Sequence, residues 1–312
     1  MKAKAPGKVV LSGAYAVLEG APAVVSAVNR YVLCDTELAP ERITPELRAA
    51  LPAGPFPGFD ASELRDGPHK LGLGSSAAIL VAALAAVRAP EFADDDALRA
   101  AIEAPALRAH REAQGGGSGI DVAASTRGGT LIARRAAHDA LEIEAVVLPP
   151  SLRVEVWASG VSASTPELLR AVANFRQHSP REHEQLMSAL GAAAARAAAA
   201  LRAARPEAFI AELSAQRELL SRLGSASGVP IVTPEVWQLA EWAKPRGAAV
   251  LPSGAGGGDV VLWVGVEASP SPFRELASSL GHRLISLELQ ARGVFAFDRS
   301  ERDRKTGVQG GS

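Results

Sequence analysis

The segment Lys70-Leu71-Gly72-Leu73-Gly74-Ser75-Ser76-Ala77-Ala78 places two glycines and two serines directly ahead of an apolar, alanine-rich run from Ile79 to Val87. That run predicts a helix packed against a sheet, so the loop opens at a helix N-terminus. The first N–H groups of a helix have no internal acceptor, and the helix dipole puts partial positive charge at the same place. An anion is stabilised there. Glycine lets the backbone approach phosphate oxygens closely, and serine hydroxyls can hydrogen-bond a phosphate or ligate magnesium. The segment is neither a Walker A loop, which closes on Gly-Lys-Ser/Thr, nor a Rossmann Gly-x-Gly-x-x-Gly. A tight connection would use the same residues, so a nucleotide reading needs support from elsewhere in the chain.

With 312 residues, the chain is expected to form two domains. Apolar content of 47% against 21% charged is a globular composition, and the sequence holds no bilayer-length apolar run, so a soluble protein is expected. The start Met1-Lys2-Ala3-Lys4-Ala5-Pro6-Gly7 lacks a signal-peptide core, which predicts a cytoplasmic location. Cys34 is the single cysteine, so an internal disulfide and a cysteine metal cluster are excluded, and it reads as a small buried hydrophobe. A net charge of −1 with 4% aromatic residues supplies neither a field for nucleic acid or acidic membrane nor base-stacking platforms.

Val9 to Leu11 and Ala23 to Val28 read as strands around a turn-rich segment, a hairpin-like sheet edge, and Leu38 to Lys70 as irregular structure with short strands. Helical patterns over Asp95–Glu103 and Ala106–Ala113 lead to a second glycine loop, Gln114 to Gly119, which opens another helix at Ile120. A strand follows Gly128-Gly129, and Val154 to Ala158 is a further strand, leading through small residues into a helix near Pro166. That passage predicts a seam, with domains at 1–165 and 166–298 and a flexible tail at 299–312. The alanine run from Gly191 to Ala200, Glu207 to Leu223 around Arg217, and Pro234 to Ala243 read as helices. A third glycine loop, Leu251 to Asp259, lies between strands at Ala248–Val250 and Val260–Val264, and a last helix near Phe273 precedes a strand at Arg283–Leu287. The order suggests an α+β second domain of ferredoxin-like type.

Ala5-Pro6-Gly7-Lys8-Val9, Gly72-Leu73-Gly74-Ser75-Ser76-Ala77-Ala78 and Ser253-Gly254-Ala255-Gly256-Gly257-Gly258-Asp259 resemble, in order and spacing, the three motifs of the GHMP small-molecule kinases. The resemblance runs from Lys4 to about Phe297. Within that superfamily the chain is most similar to the phosphomevalonate kinases, through Gly13-Ala14-Tyr15, Gly117 to Ser125, Ser162-Ala163-Ser164-Thr165, Arg217 and Thr233-Pro234. Ala14 stands where many relatives carry glutamate, and Leu251 where many carry lysine.

The resemblance implies the GHMP kinase fold, α+β, with an N-terminal ribosomal-protein-S5-domain-2-like domain and a C-terminal ferredoxin-like domain. It implies ATP-dependent phosphorylation of (R)-5-phosphomevalonate to the diphosphate, in the mevalonate pathway of isoprenoid biosynthesis. Mevalonate or another small alcohol is the alternative acceptor, and a nucleotide-binding sensor without turnover the third reading. ATP and a small anionic substrate are the implied partners, with Mg2+ as cofactor and the protein a monomer or homodimer. Lys8 and Asp121 are the implied catalytic pair, with Asp121 either a base for an alcohol or an orienting group for Lys8 and the metal. Gly72, Leu73, Gly74, Ser75, Ser76 and Ala77 would hold ATP, with Ser76 the magnesium ligand. Tyr15, Ser118, Gly119, Ser164, Thr165, Arg217, Ser253, Gly254, Ala255 and Gly256 are the implied substrate contacts. His110 reads as a capping or packing residue.

Overall fold

The computed structural model describes residues 1–67, 69–136, 140–160 and 164–298. Ser162, Ala163 and the tail at 299–312 lie outside the described residues.

Two sheets organise the chain. Strand β1 (Lys2–Ser12) pairs antiparallel with β2 (Ala23–Asp35), and both run well past the short strands expected. Apolar residues continue through both, and their buried positions carry them into the middle of the sheet. Helix α1 (Pro45–Ala50) and the short strands β3 (Gly58–Asp60), β4 (Arg65–Asp66) and β5 (His69–Lys70) fill the segment expected to be irregular. Helices α2 (Ser75–Arg88), α3 (Asp95–Gln114) and α4 (Ile120–Arg127) follow, then β6 (Thr130–Arg135) and β7 (Leu141–Val146). The first sheet has the order β12-β1-β2-β6-β7, with β3 also on β2 and β12 (Phe295–Phe297) returning from the far end of the chain. The expected sheet edge is therefore corrected: β12 pairs with Lys2, Ala3 and Lys4, placing β1 inside the sheet.

The second sheet is built from β8 (Arg153–Ser159), three helices α5 (Thr165–His178), α6 (Pro180–Arg202) and α7 (Pro206–Ser227), then α8 (Pro234–Ala243), β9 (Ala249–Pro252), β10 (Val260–Gly265), α9 (Ser271–Ser279) and β11 (His282–Ile285). Its order is β11-β8-β10-β9, all antiparallel. Strand, helices, two strands, helix, strand in that order is the split βαβ arrangement expected for this half. Sheet membership crosses the expected seam at 165/166. β8 lies on its N-terminal side but pairs with β10 and β11, and β12 lies on its C-terminal side but pairs with β1.

The alanine-rich α2 explains how the first sheet is covered. Ten of its residues, Ala77 through Ala86, are buried, because small side chains let the helix sit close to β1 and β2 while α3 and α4 cover its other sides. Cys34 is fully buried in this core, as expected of a small hydrophobe, and burial pushes its thiol up. None of the described helices is long and apolar enough to cross a membrane.

A second core lies between the second sheet and helices α8 and α9. Phe273 is its centre, 1% exposed, with ring centroids 5.6 Å from Trp157, 5.7 Å from Trp242 and 4.5 Å from Trp263. Phe273→Ala is expected to cost about 3–5 kcal/mol. Urea unfolding followed by tryptophan fluorescence checks this, since three of the four tryptophans report on that cavity.

Candidate active site

The centre of the site is a close approach between β1 and the glycine loop ahead of α2. The Lys8 backbone N–H donates to the Leu73 carbonyl at 2.8 Å, which lays the strand along the loop. The lysine side chain then crosses Gly74, where a Cβ would stand 3.0 Å from Lys8 Cγ and Cε. Its ammonium donates to the Gly72 carbonyl at 3.3 Å. Gly72 and Gly74 adopt φ of +66° and +77°, which with the crowding accounts for glycine at both. Gly74 begins α2 with no side-chain cap, so the first amides of the helix, at Ser75, Ser76 and Ala77, are left for an anion.

Asp121 occupies the first turn of α4, after Gly119. Its Oδ1 accepts from the Val122 N–H at 2.9 Å, and its Oδ2 lies 3.5 Å from His110 Nε2. His110, on α3 and 3% exposed, is also 3.4 Å from Ser76 Oγ. Gln114, one turn further along the helix, donates to Ser76 Oγ at 3.0 Å and to Glu46 Oε1 of α1 at 3.2 Å. A polar chain thus runs Glu46, Gln114, Ser76, His110, Asp121, joining the serine in the first turn of α2 to the carboxylate on α4. His110 and Gln114 were not anticipated as site residues. Their i, i+4 spacing just before a glycine loop was the available signal.

Burial pushes the Lys8 ammonium below the ordinary lysine range, and the carboxylates of Asp121 and Asp259 offset part of that effect. Asp259 closes the third glycine loop with φ of +50°, and a Cβ on Gly72 would meet its Cβ at 2.7 Å and its Oδ2 at 3.0 Å. Gly72 thus lies against both the cation and Asp259.

A cavity of about 160 Å³ opens beside Lys8 and Asp121. Tyr15, Ser118, Gly119, Thr165, Gly254 and Ala255 all line it, as do His110 and Gln114. Val10, Ala14, Val17, Leu18, Ile120 and Leu169 form its apolar wall. The buried Tyr15 phenol, pushed up by that burial, donates to the Ala255 carbonyl at 2.7 Å and so ties the first half of the chain to the third glycine loop. Gly72 to Ala77 border the cavity through Lys8 and Ser76 rather than lining it.

Other expected contacts are placed elsewhere. Ser253 Oγ accepts from the Val10 N–H at 2.9 Å, and Gly256 is pressed on the backbone of Ile231. Ser164 precedes α5 outside the cavity lining. Arg217 also lies outside the cavity lining: it is 1% exposed, pairs with Glu218 at 3.3 Å and Glu241 at 3.2 Å, and stacks over Trp237 at 4.2 Å. Successive helical residues point about 100° apart, and it is Gln216 that turns toward β1.

An uncapped helix N-terminus, a desolvated lysine and a carboxylate converging on one small cavity define a small-molecule phosphotransferase. Residues 23–129 match the family model of the GHMP kinases N-terminal domain. Over 280 residues the chain is 30% identical to a mevalonate kinase of Archaeoglobus fulgidus, covering 84% of this chain and 91% of that one. Over 222 residues it is 32% identical to a phosphomevalonate kinase of Streptomyces sp. strain CL190, covering 64% of this chain but 58% of the relative. Among solved structures, a Lin0012 protein from Listeria innocua superposes with TM-score 0.79 at 24% identity, covering 94% of this chain and 99% of that one. The Streptococcus pneumoniae phosphomevalonate kinase in complex with phosphomevalonate and AMPPNP superposes with TM-score 0.72 at 18% identity, covering 93% and 99%. The chain belongs to the GHMP kinases and has their fold.

Because burial lowers the Lys8 pKa and the charged form is the one that binds phosphate, activity is expected to fall as pH rises through a value below the ordinary lysine pKa of about 10.4. Lys8→Arg should move that alkaline limb upward. Lys8→Met should lower kcat by about 100-fold or more while leaving the thermal midpoint no lower than wild type, since it removes a desolvated charge. A pH–rate profile and a melting curve check both.

Proposed function

We propose that this protein transfers the γ-phosphoryl group of ATP to (R)-5-phosphomevalonate, forming 5-diphosphomevalonate and ADP. The convergence of Lys8, Asp121 and the open amides of α2 supports phosphoryl transfer. The observation that carries the choice of acceptor is the state of Asp121, whose two oxygens face the Val122 N–H and His110. We read that carboxylate as an orienting group rather than a base, a role that suits an acceptor arriving already ionised. The spelling Gly13-Ala14-Tyr15 and the match to the Streptomyces phosphomevalonate kinase support the same acceptor.

In this reading the ATP phosphates lie on the amides of Ser75, Ser76 and Ala77. An oxygen of the acceptor phosphate attacks the γ-phosphorus from the cavity, and the bond to the β,γ-bridging oxygen breaks as ADP leaves. Lys8 sits between the two phosphates and offsets their mutual repulsion, while the cavity walls align the acceptor and exclude water. Tyr15, Ser118, Thr165, Gly254 and Ala255 surround the acceptor.

The residues fit magnesium in its usual role with ATP. Ser76 Oγ is a hard oxygen donor beside the phosphate-binding amides, with the Asp121 carboxylate across His110. Among the described residues no group of three or more His, Cys, Asp or Glu could hold a metal alone, which suits an ion that takes most of its ligands from phosphate and water. Magnesium would supply charge neutralisation on the phosphates.

A coupled ADP-release assay with 5-phosphomevalonate, with mevalonate and with no acceptor is expected to show turnover with 5-phosphomevalonate. Turnover with mevalonate alone contradicts the acceptor assignment. Ser76→Ala should raise the magnesium concentration needed for half-maximal rate several-fold, on the order of the loss of one oxygen ligand. An unchanged magnesium titration would show that Ser76 is not a ligand.

A further inference from the structure

Gln216 is 2% exposed on α7, more than 200 positions from β1 in sequence, yet its carboxamide oxygen receives two hydrogen bonds from the end of that strand. Ser12 Oγ donates to Oε1 at 3.0 Å and the Gly13 N–H at 2.9 Å. The Gly13 amide can only donate, so the oxygen of the carboxamide must face it, which fixes the orientation of the side chain. The turn held in this way is under backbone strain. Tyr15 adopts φ of +61°, a region that costs free energy for a residue with a Cβ and persists only where its surroundings enforce it.

Backbone bonds within the turn, from Ala16 N–H to the Ala14 carbonyl, Val17 to Gly13 and Leu18 to Tyr15, set its local shape, and two long-range side-chain anchors tie it to the rest of the fold. Tyr15 OH on the Ala255 carbonyl holds one side, and Gln216 on Ser12 and Gly13 holds the other. Ala14 and Tyr15, at this turn, form part of the cavity wall. Gln216 itself does not line the cavity, and its hydrogen bonds reach Ser12 and Gly13 rather than the loop ahead of α2.

We propose that Gln216 is a positioning residue for the acceptor pocket: by accepting from Ser12 and Gly13 it holds the strained Gly13–Tyr15 turn, and with it the wall against which the acceptor binds. The proposal rests on reading the cavity as the acceptor site. It assigns α7 a part in acceptor affinity through Gln216 rather than through its charged neighbour Arg217.

The test uses the full chain with Gln216→Met, Gln216→Glu and Ser12→Ala. Steady-state kinetics with the acceptor that the wild type phosphorylates are paired with hydrogen exchange over residues 13–18 in ligand-free protein. Gln216→Met, which keeps the length and loses the acceptor oxygen, is expected to raise the acceptor KM about tenfold or more with the ATP KM within about twofold, and to speed exchange over 13–18. Gln216→Glu, which keeps an acceptor oxygen, should restore the acceptor KM to within about threefold of wild type, and Ser12→Ala should fall between. ATP and acceptor KM rising together, or exchange over 13–18 unchanged, overturns the proposal. If Gln216→Met does not fold, the Ser12→Ala and Gln216→Glu pair decides by the same two readouts. A wild type that phosphorylates no acceptor defeats the kinase reading alone, and exchange over 13–18 then decides the role of Gln216.

Discussion

The Lys8 ammonium is withdrawn from water and held against the Gly72 carbonyl, with Asp121 and Asp259 in its field. A lone cation taken out of water is expensive, and here the two carboxylates offset only part of the cost. Under the proposed function this partly compensated cation is the group that meets phosphate, and a cation already fixed in place is the preorganisation that phosphoryl transfer requires.

Much of the structure follows from holding that cation in place. β1 must lie along the glycine loop, so Leu73 accepts its backbone and Gly74 yields space to its side chain. The loop must begin a helix close to the sheet, and alanines along α2 permit that approach. The third glycine loop must reach across from the second sheet, which it does through Ser253 on Val10, Ala255 on Tyr15 and Asp259 beside Gly72. Both sheets therefore meet around Lys8, Tyr15 and Gly72. The return of β12 to β1 also joins the two halves of the chain.

The glycine loops, the helices they open and the strands between them were legible because those signals are local: periodicity, glycine at sharp turns, and small residues ahead of apolar runs. The parts that were not legible are non-local. β12 is three residues long and gains its identity only by pairing with Lys2 to Lys4. β7, Leu141-Glu142-Ile143-Glu144-Ala145-Val146, does alternate in sequence, but its partner β6 decides that it is a strand. At the site, the family resemblance drew attention to Arg217, which pairs with Glu218 and Glu241 away from the cavity. The neutral Gln216, with no pattern to mark it, is the α7 residue that reaches β1. His110 and Gln114 share a helix face by their i, i+4 spacing, but it is the packing of α3 beside Ser76 that gives them their place at the site.

A crystal structure of the chain with a non-hydrolysable ATP analogue and magnesium tests the central claim most directly. The expected result places the polyphosphate on the amides of Ser75 to Ala77, with the terminal phosphorus turned toward the cavity and its oxygens within about 3 Å of Lys8 Nζ. A triphosphate bound away from α2, or a terminal phosphate turned away from Lys8 and the cavity, would contradict it.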